Sequence, residues 1–292
     1  MRHTYECPLR WADLDLLGHV NNVVYVDYLQ EARVDMLRTH RPTRPAGELV
    51  DGLVVVRHEV QYLLPLTFRF RPVTIECWVT EIRAASFTMA YEIFDADPEH
   101  PRGRRVYVRA NTVLTPYVFS EERPRRLSRD ERTLLADFLE PTEPVARPEP
   151  TPMRTSETGH YPVAVRFSDV DAYGHVNNVK YFEFLQEARI SLMSRLWGDA
   201  WAAAGRAQVV VAQMDVDYRV PILFRPEPYD AWTWISHVGR TSTVVESEIR
   251  DGSVVLARAR VVLVFFDPST QRPTVPEPAV RGPLVAFAAT ES

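Results

Sequence analysis

Two stretches decide how this chain reads: Arg10–Arg33, RWADLDLLGHVNNVVYVDYLQEAR, and Arg166–Arg189, RFSDVDAYGHVNNVKYFEFLQEAR. At a constant offset of 156 residues, 15 of the 24 positions are identical. The same offset pairs Tyr62 with Tyr218, Pro65 with Pro221, Trp78 with Trp234, Ser86 with Ser242 and Asp95 with Asp251. It slips only where the first copy carries DADPEHPRGR and the second DGS, an insertion that a hairpin loop absorbs at small entropic cost. Self-similarity on this scale marks a duplicated domain rather than a shared motif.

The 292 residues accommodate two domains of about 150 residues each. We expect an N-terminal domain over 1–140, a Pro-rich linker over 141–160, and a C-terminal domain over 161–292 that ends in a Pro-rich tail. A hydrophobic fraction of 46% and a charged fraction of 25% are those of a soluble globular protein. The net charge of −5 argues against a nucleic-acid partner. In ERPRRLSRDER at 122–132, acids interrupt the basic run, which reads as a solvated surface or a helix start. No apolar run approaches the ~18 residues of a membrane span, and no secretory h-region opens the chain. Cys7 and Cys77 face Val163 and Thr233, so no disulfide is common to both copies; two reduced thiols in a cytoplasmic protein are expected.

Within each copy the pattern runs strand, turn, helix, then strands. Tyr5–Trp11 reads as an opening strand and ADLDLLGH as a turn. From Val23 to Thr39 there is neither Pro nor Gly, and Asn21 and Asn22 stand where a cap belongs. This helix is apolar around most of its circumference, so something must enclose it. The runs at 53–63, 73–83, 87–94 and 104–118 supply that sheet in the first copy, and those at 209–218, 229–238, 243–249 and 254–266 in the second. With no long helix between them, the strands connect as hairpins and pair antiparallel, an α+β architecture. Ser128, with Glu131 three residues on, signals a closing helix over 128–139.

One helix wrapped by an antiparallel sheet resembles the hotdog fold. The RxxDxDxxGHVNNxxY pattern at Arg10–Tyr25 and Arg166–Tyr181 is similar to the signature of the 4-hydroxybenzoyl-CoA thioesterase-like family and of acyl-ACP thioesterases. The resemblance implies two tandem hotdog domains forming an internal pseudo-dimer, with a further homo-oligomer possible in principle. It implies hydrolysis of an acyl-CoA or acyl-ACP thioester with no metal and no organic cofactor beyond the coenzyme A of the substrate. The family's catalytic aspartate falls on Asp15 and Asp171, and its histidine on His19 and His175. Gly18, Asn21, Asn22, Gly174, Asn177 and Asn178 are implied as substrate-binding positions. The plant branch carries an asparagine two residues before the histidine, where Leu17 and Tyr173 stand here.

Read from the residues, the aspartate precedes a helix start, where backbone N–H groups and the helix dipole favour a carboxylate and polarise a carbonyl. Asn21 and Asn177 are equally simple helix caps. Glu31 and Glu187, in the shared LQEAR, suggest ion pairs with a nearby arginine. Asp13 and Asp169 lack histidine or glutamate at ligand spacing, and His58–Tyr62 fails the HExxH test. No G-x-S-x-G nucleophile elbow exists. An enoyl-CoA hydratase or dehydratase built on the same Asp and His, and a non-catalytic acyl-thioester binding protein, are the alternatives.

Overall fold

A computed structural model describes residues 1–40, 52–143, 146–198, 208–267, 269–270 and 272–290. The chain forms two compact units, Met1–Ala146 and Arg147–Ser292.

In the first unit, β1 (His3–Cys7) leads through one 3-10 turn (Trp11–Asp13) to α1 (Val24–Thr39). Then follow β2 (Leu53–Tyr62), β3 (Val73–Ile82), β4 (Phe87–Ala96), β5 (Arg104–Val118), the short β6 (Arg123–Pro124) and α2 (Arg129–Asp137). The sheet order is β1-β3-β4-β5-β2, with every pair antiparallel and β6 paired to β5. The opening strand therefore ends at Cys7, and Trp11 belongs to the turn that follows.

The second unit repeats the order: β7 (His160–Val163), a 3-10 turn (Phe167–Asp169), α3 (Lys180–Trp197), β8 (Gln208–Tyr218), β9 (Tyr229–Val238), β10 (Ser242–Asp251), β11 (Val254–Asp267), β12 (Arg272–Pro273) and α4 (Pro278–Thr290). Its strands run β8-β11-β10-β9-β7, again antiparallel. Of the tail, residues Pro278–Thr290 are a helix, with Val280, Leu284 and Phe287 buried at helical spacing. The indole N–H of Trp197 donates to the Val280 carbonyl at 2.9 Å and ties α4 to the end of α3.

Alternation places Val73, Ile75, Cys77 and Val79 of β3 on the inner face, where α1 packs through Val26, Leu29, Ala32 and Met36. Each large apolar side chain taken out of water here contributes about 1.5–3 kcal/mol. Glu31 and Glu187 lie on the exposed side of their helices and form no ion pair with any described residue, which corrects the expectation from LQEAR.

Across the outer face of the second sheet runs part of the Pro-rich stretch between the repeats. Thr151 accepts from the Trp234 indole at 3.0 Å and donates to Glu246 at 2.9 Å, and the Arg154 guanidinium donates to the Ala288 carbonyl at 3.1 Å. Residues from Arg147 onward thus belong to the second unit, although the composition of 141–160 reads as a semi-extended linker.

Candidate functional site

The shared motif folds into a hairpin turn ahead of each long helix. Asp13 opens it. At 2% exposure, its carboxylate accepts the Arg10 backbone N–H at 2.9 Å, the Arg10 guanidinium at 2.9 Å and the Tyr28 hydroxyl. Its carbonyl takes the Asn21 N–H at 2.8 Å. Burial pushes the Asp13 carboxyl up, but the bonds from Arg10 and Tyr28 outweigh it and hold the group below the usual aspartate range. Asp169 repeats the arrangement at 1% exposure, accepting from the Arg166 backbone at 2.8 Å and its guanidinium at 3.1 Å, with Asn177 N–H on its carbonyl at 2.8 Å. Phe184 stands where the first unit has Tyr28, so the tyrosine donor exists in one copy only. Sequence reasoning left these aspartates without a role, yet the R-x-x-D spacing carried the signal: at i, i+3 the side chain closes the 3-10 turn on itself.

Two residues on, Asp15 is half-buried and belongs to the next, tighter turn. Its N–H donates to the His19 carbonyl at 2.8 Å, and the Gly18 N–H donates to its carbonyl at 3.0 Å. Gly18 (φ +74°) and Gly174 (φ +81°) take the left-handed conformation that this turn requires and that a side chain would strain. Asp15 Oδ1 accepts the backbone N–H groups of Leu17 at 2.8 Å and His19 at 3.2 Å, whereas Oδ2 takes no hydrogen bond from any described residue. Asp171 accepts the Tyr173 N–H at 2.9 Å in the same way. One carboxylate oxygen thus fixes the group to its own turn, and the other takes no hydrogen bond from a described residue.

Two expectations need correction here. Asp15 and Asp171 do not draw on a helix N-terminus: α1 begins at Val24 and α3 at Lys180, and the N–H groups that hold the carboxylates come from the turn. Nor are Asn21 and Asn177 helix caps. Val23 and Val179 occupy the cap positions with helical backbone, and each asparagine Oδ1 accepts the N–H two residues on, at 3.3 Å.

His19 and His175 sit on the return arm of the turn, each bridged to a following segment at Thr67 and Leu223. The structure brings the Asp15 carboxylate to the backbone N–H of His19 rather than to its ring, and the His19 imidazole bonds no described residue. Tyr25 and Tyr181, the last letter of the motif, are buried anchors: the Ile222 N–H donates to the Tyr181 hydroxyl at 2.9 Å, and burial raises that phenol despite the lowering effect of this bond, with Tyr229 and then Asp171 adding to the rise. Tyr62 and Tyr218 donate to the carbonyls of Asn22 and Asn178 at 2.8 and 2.9 Å, fixing the junction between turn and helix. Neither the backbone N–H nor the side-chain amide of Asn22 donates to a described residue.

Exposed apolar side chains border each turn. Trp11 packs edge-on to Phe68 with centroids 5.4 Å apart, and Leu16 and Phe70 stand fully in solvent. In the second unit Phe167 meets Phe224 at 6.1 Å. Among the described residues no three His, Cys, Asp or Glu side chains gather in a way that would hold a metal ion.

The model of the thioesterase-like superfamily matches this chain twice, over residues 9–138 and 165–284, each match spanning one turn, its helix and the following sheet. The chain belongs to that superfamily. A long-chain acyl-CoA thioesterase of Escherichia coli, FadM, is 32% identical over 129 residues, which is 42% of this chain and 93% of that protein. Among solved structures, a putative oleoyl thioesterase from Lactobacillus plantarum superposes with a TM-score of 0.72 at 15% identity, covering 91% of this chain and 96% of its own. The 12:0-ACP thioesterase of Umbellularia californica does so at 0.67 and 16%, covering 94% of both chains. At such identities these two likenesses speak for the fold, tandem hotdog domains.

Proposed function

We propose that this thioesterase-like protein hydrolyses acyl-CoA, or less readily acyl-ACP, to the free acid and the thiol, with Asp15 and Asp171 as the bases. The observation that carries the reading is the Asp15 carboxylate, pinned through Oδ1 by two turn N–H groups and open at Oδ2. A water held at Oδ2 gives its proton to Asp15 as its oxygen bonds to the thioester carbonyl carbon. The C=O electron pair moves onto oxygen, where N–H donors at the turn–helix junction, the Asn22 backbone N–H among them, stabilise the charge. Collapse re-forms the carbonyl and breaks the C–S bond; the thiolate takes the proton back from Asp15. No metal or organic cofactor enters the scheme. His19 and His175 contact the substrate, Gly18 and Gly174 let the turn approach it, and Asn21, Asn22, Asn177 and Asn178 shape the N–H groups that face it. The apolar rim of Trp11, Leu16 and Phe70, with Phe167 and Phe224 in the second unit, suits an acyl thioester, and the likeness to FadM favours a long aliphatic chain and a part in fatty acid metabolism. A cytoplasmic location belongs to the same reading and is supported by the two free, buried cysteines. Separately, no described helix is long and apolar enough to cross a membrane.

Free-thiol release over a panel of acyl-CoAs and acyl-ACPs, from short aliphatic to long-chain and benzoyl, tests this. Turnover with a long-chain preference supports it. Water addition to enoyl-CoA without thiol release would replace it with the hydratase reading, and thermal stabilisation by acyl-CoA without turnover with a binding role.

A further inference from the structure

We propose that the side-chain amide of Asn22 is an oxyanion donor in the N-terminal unit, and that the C-terminal unit lacks its equivalent; this rests on the thioesterase reading above. The Asn22 Nδ2 atom is shielded from solvent and has no acceptor among the described residues. A buried amide left in that state destabilises the fold, so its retention calls for an acceptor that arrives from outside. Single side-chain nitrogens of Arg33, Arg69 and Trp78 share the condition, but of these residues only Asn22 lies between the Asp15 turn and the first residue of α1.

Its surroundings hold it there. The Tyr62 hydroxyl donates to the Asn22 carbonyl at 2.8 Å, and the Tyr62 ring packs edge-on to Tyr25 with centroids 5.7 Å apart. On the preceding residue, Asn21 spends its Oδ1 on the Val23 N–H, and its own N–H goes to Asp13. A donor at this junction suits an acceptor that gains negative charge during the reaction, which describes the thioester carbonyl oxygen as water adds to its carbon. The amide then donates to an atom whose charge grows in the transition state, so it acts on turnover more than on binding.

The second unit spends the same group differently. Asn178 Nδ2 donates to Asn177 Oδ1 at 3.2 Å, so the amide already has an acceptor within its own turn. The residues NNV are the same at 21–23 and 177–179, while flanking residues differ, Val24 against Lys180 among them.

The test reads one unit at a time. In an Asp171→Asn background, Asn22→Leu, of similar volume, and Asn22→Ser are compared with their parent for thiol release from acyl-CoA and for melting temperature. The expected result is a kcat lower by about 100-fold, the usual effect of deleting one oxyanion donor, with KM within about threefold and a melting temperature unchanged or raised. A kcat within about threefold of the parent, or loss of activity together with loss of fold in both variants, would overturn the assignment. In the converse Asp15→Asn background, Asn178→Leu should cost distinctly less; an equal loss would overturn the restriction to one unit. Wild-type protein that releases no thiol from any acyl-CoA or acyl-ACP would overturn the thioesterase reading itself, a result separate from either of these.

Discussion

Two aspartates two residues apart in the sequence do different work because their hydrogen bonds differ. Asp13 has its donors from Arg10 and Tyr28, is sealed from water, and holds the turn. Asp15 keeps one oxygen to which no described residue donates. Because the Asp13 carboxyl is held low in the fold, its contribution to stability is complete above the ordinary aspartate value near pH 4 and is lost as pH falls through its lower folded value. Asp13→Asn should therefore melt below wild type at neutral pH, with the two melting curves converging in acid; parallel curves down to about pH 2 would contradict this. Tyr181→Phe leaves the buried Ile222 N–H without an acceptor and should cost about 1–3 kcal/mol in denaturant unfolding. The sequence shows the recurrence of both aspartates and the Arg10–Asp13 spacing but not the bond from Tyr28, which meets Asp13 only once turn and helix have folded together.

At the level of elements, the helix and the four long strands of each copy were legible because period and propensity agree there. Leu29, Ala32 and Met36 follow helical spacing, and Val73, Ile75, Cys77 and Val79 alternate. The closing helix of the first unit was legible too: Ser128 Oγ accepts the Glu131 N–H at 3.2 Å, and Glu131 returns the bond to the Ser128 N–H at 2.7 Å. Its counterpart α4 has no such box, and Gly282 and Pro283 inside it hide the Val280, Leu284, Phe287 spacing. The start of α1 falls within one residue of the expected Val23, and only the cap was misread, since an asparagine that bonds the N–H two residues on looks in sequence like a cap. Burial of the two thiols on β1 and β3 pushes each up to about 12. A thiol-reactive dye should accordingly find no cysteine in the native protein and two after unfolding; rapid native labelling at pH 8 would show that β1 opens readily. The same silence keeps the background low in a thiol-release assay.

For the whole chain, the duplication supplies two turns with the same aspartate, histidine and glycine, set in units that have since diverged. Tyr28 gives way to Phe184, and the buried pair His58 and Tyr91 to Met214 and Ser247. In the first unit His58 Nδ1 and the Thr112 hydroxyl share a hydrogen bond of 2.9 Å, and in the second Thr233 and Ser247 share one of 3.0 Å, so each sheet satisfies its inner polar groups in its own way. Such differences were visible in the sequence as mismatches between copies, but their burial was not. We expect them to give the two sites unequal turnover numbers and acyl preferences.

The claim that each unit carries a working carboxylate is tested most directly by steady-state thiol release from a long-chain acyl-CoA with wild type, Asp15→Asn, Asp171→Asn and the double variant. Asparagine keeps an Oδ1 able to accept the turn N–H groups, so the fold should survive while the base is lost. The expected result is partial activity in each single variant, a loss of at least about 100-fold in the double, and melting temperatures close to wild type in all four. Near-normal thiol release by the folded double variant would contradict the account.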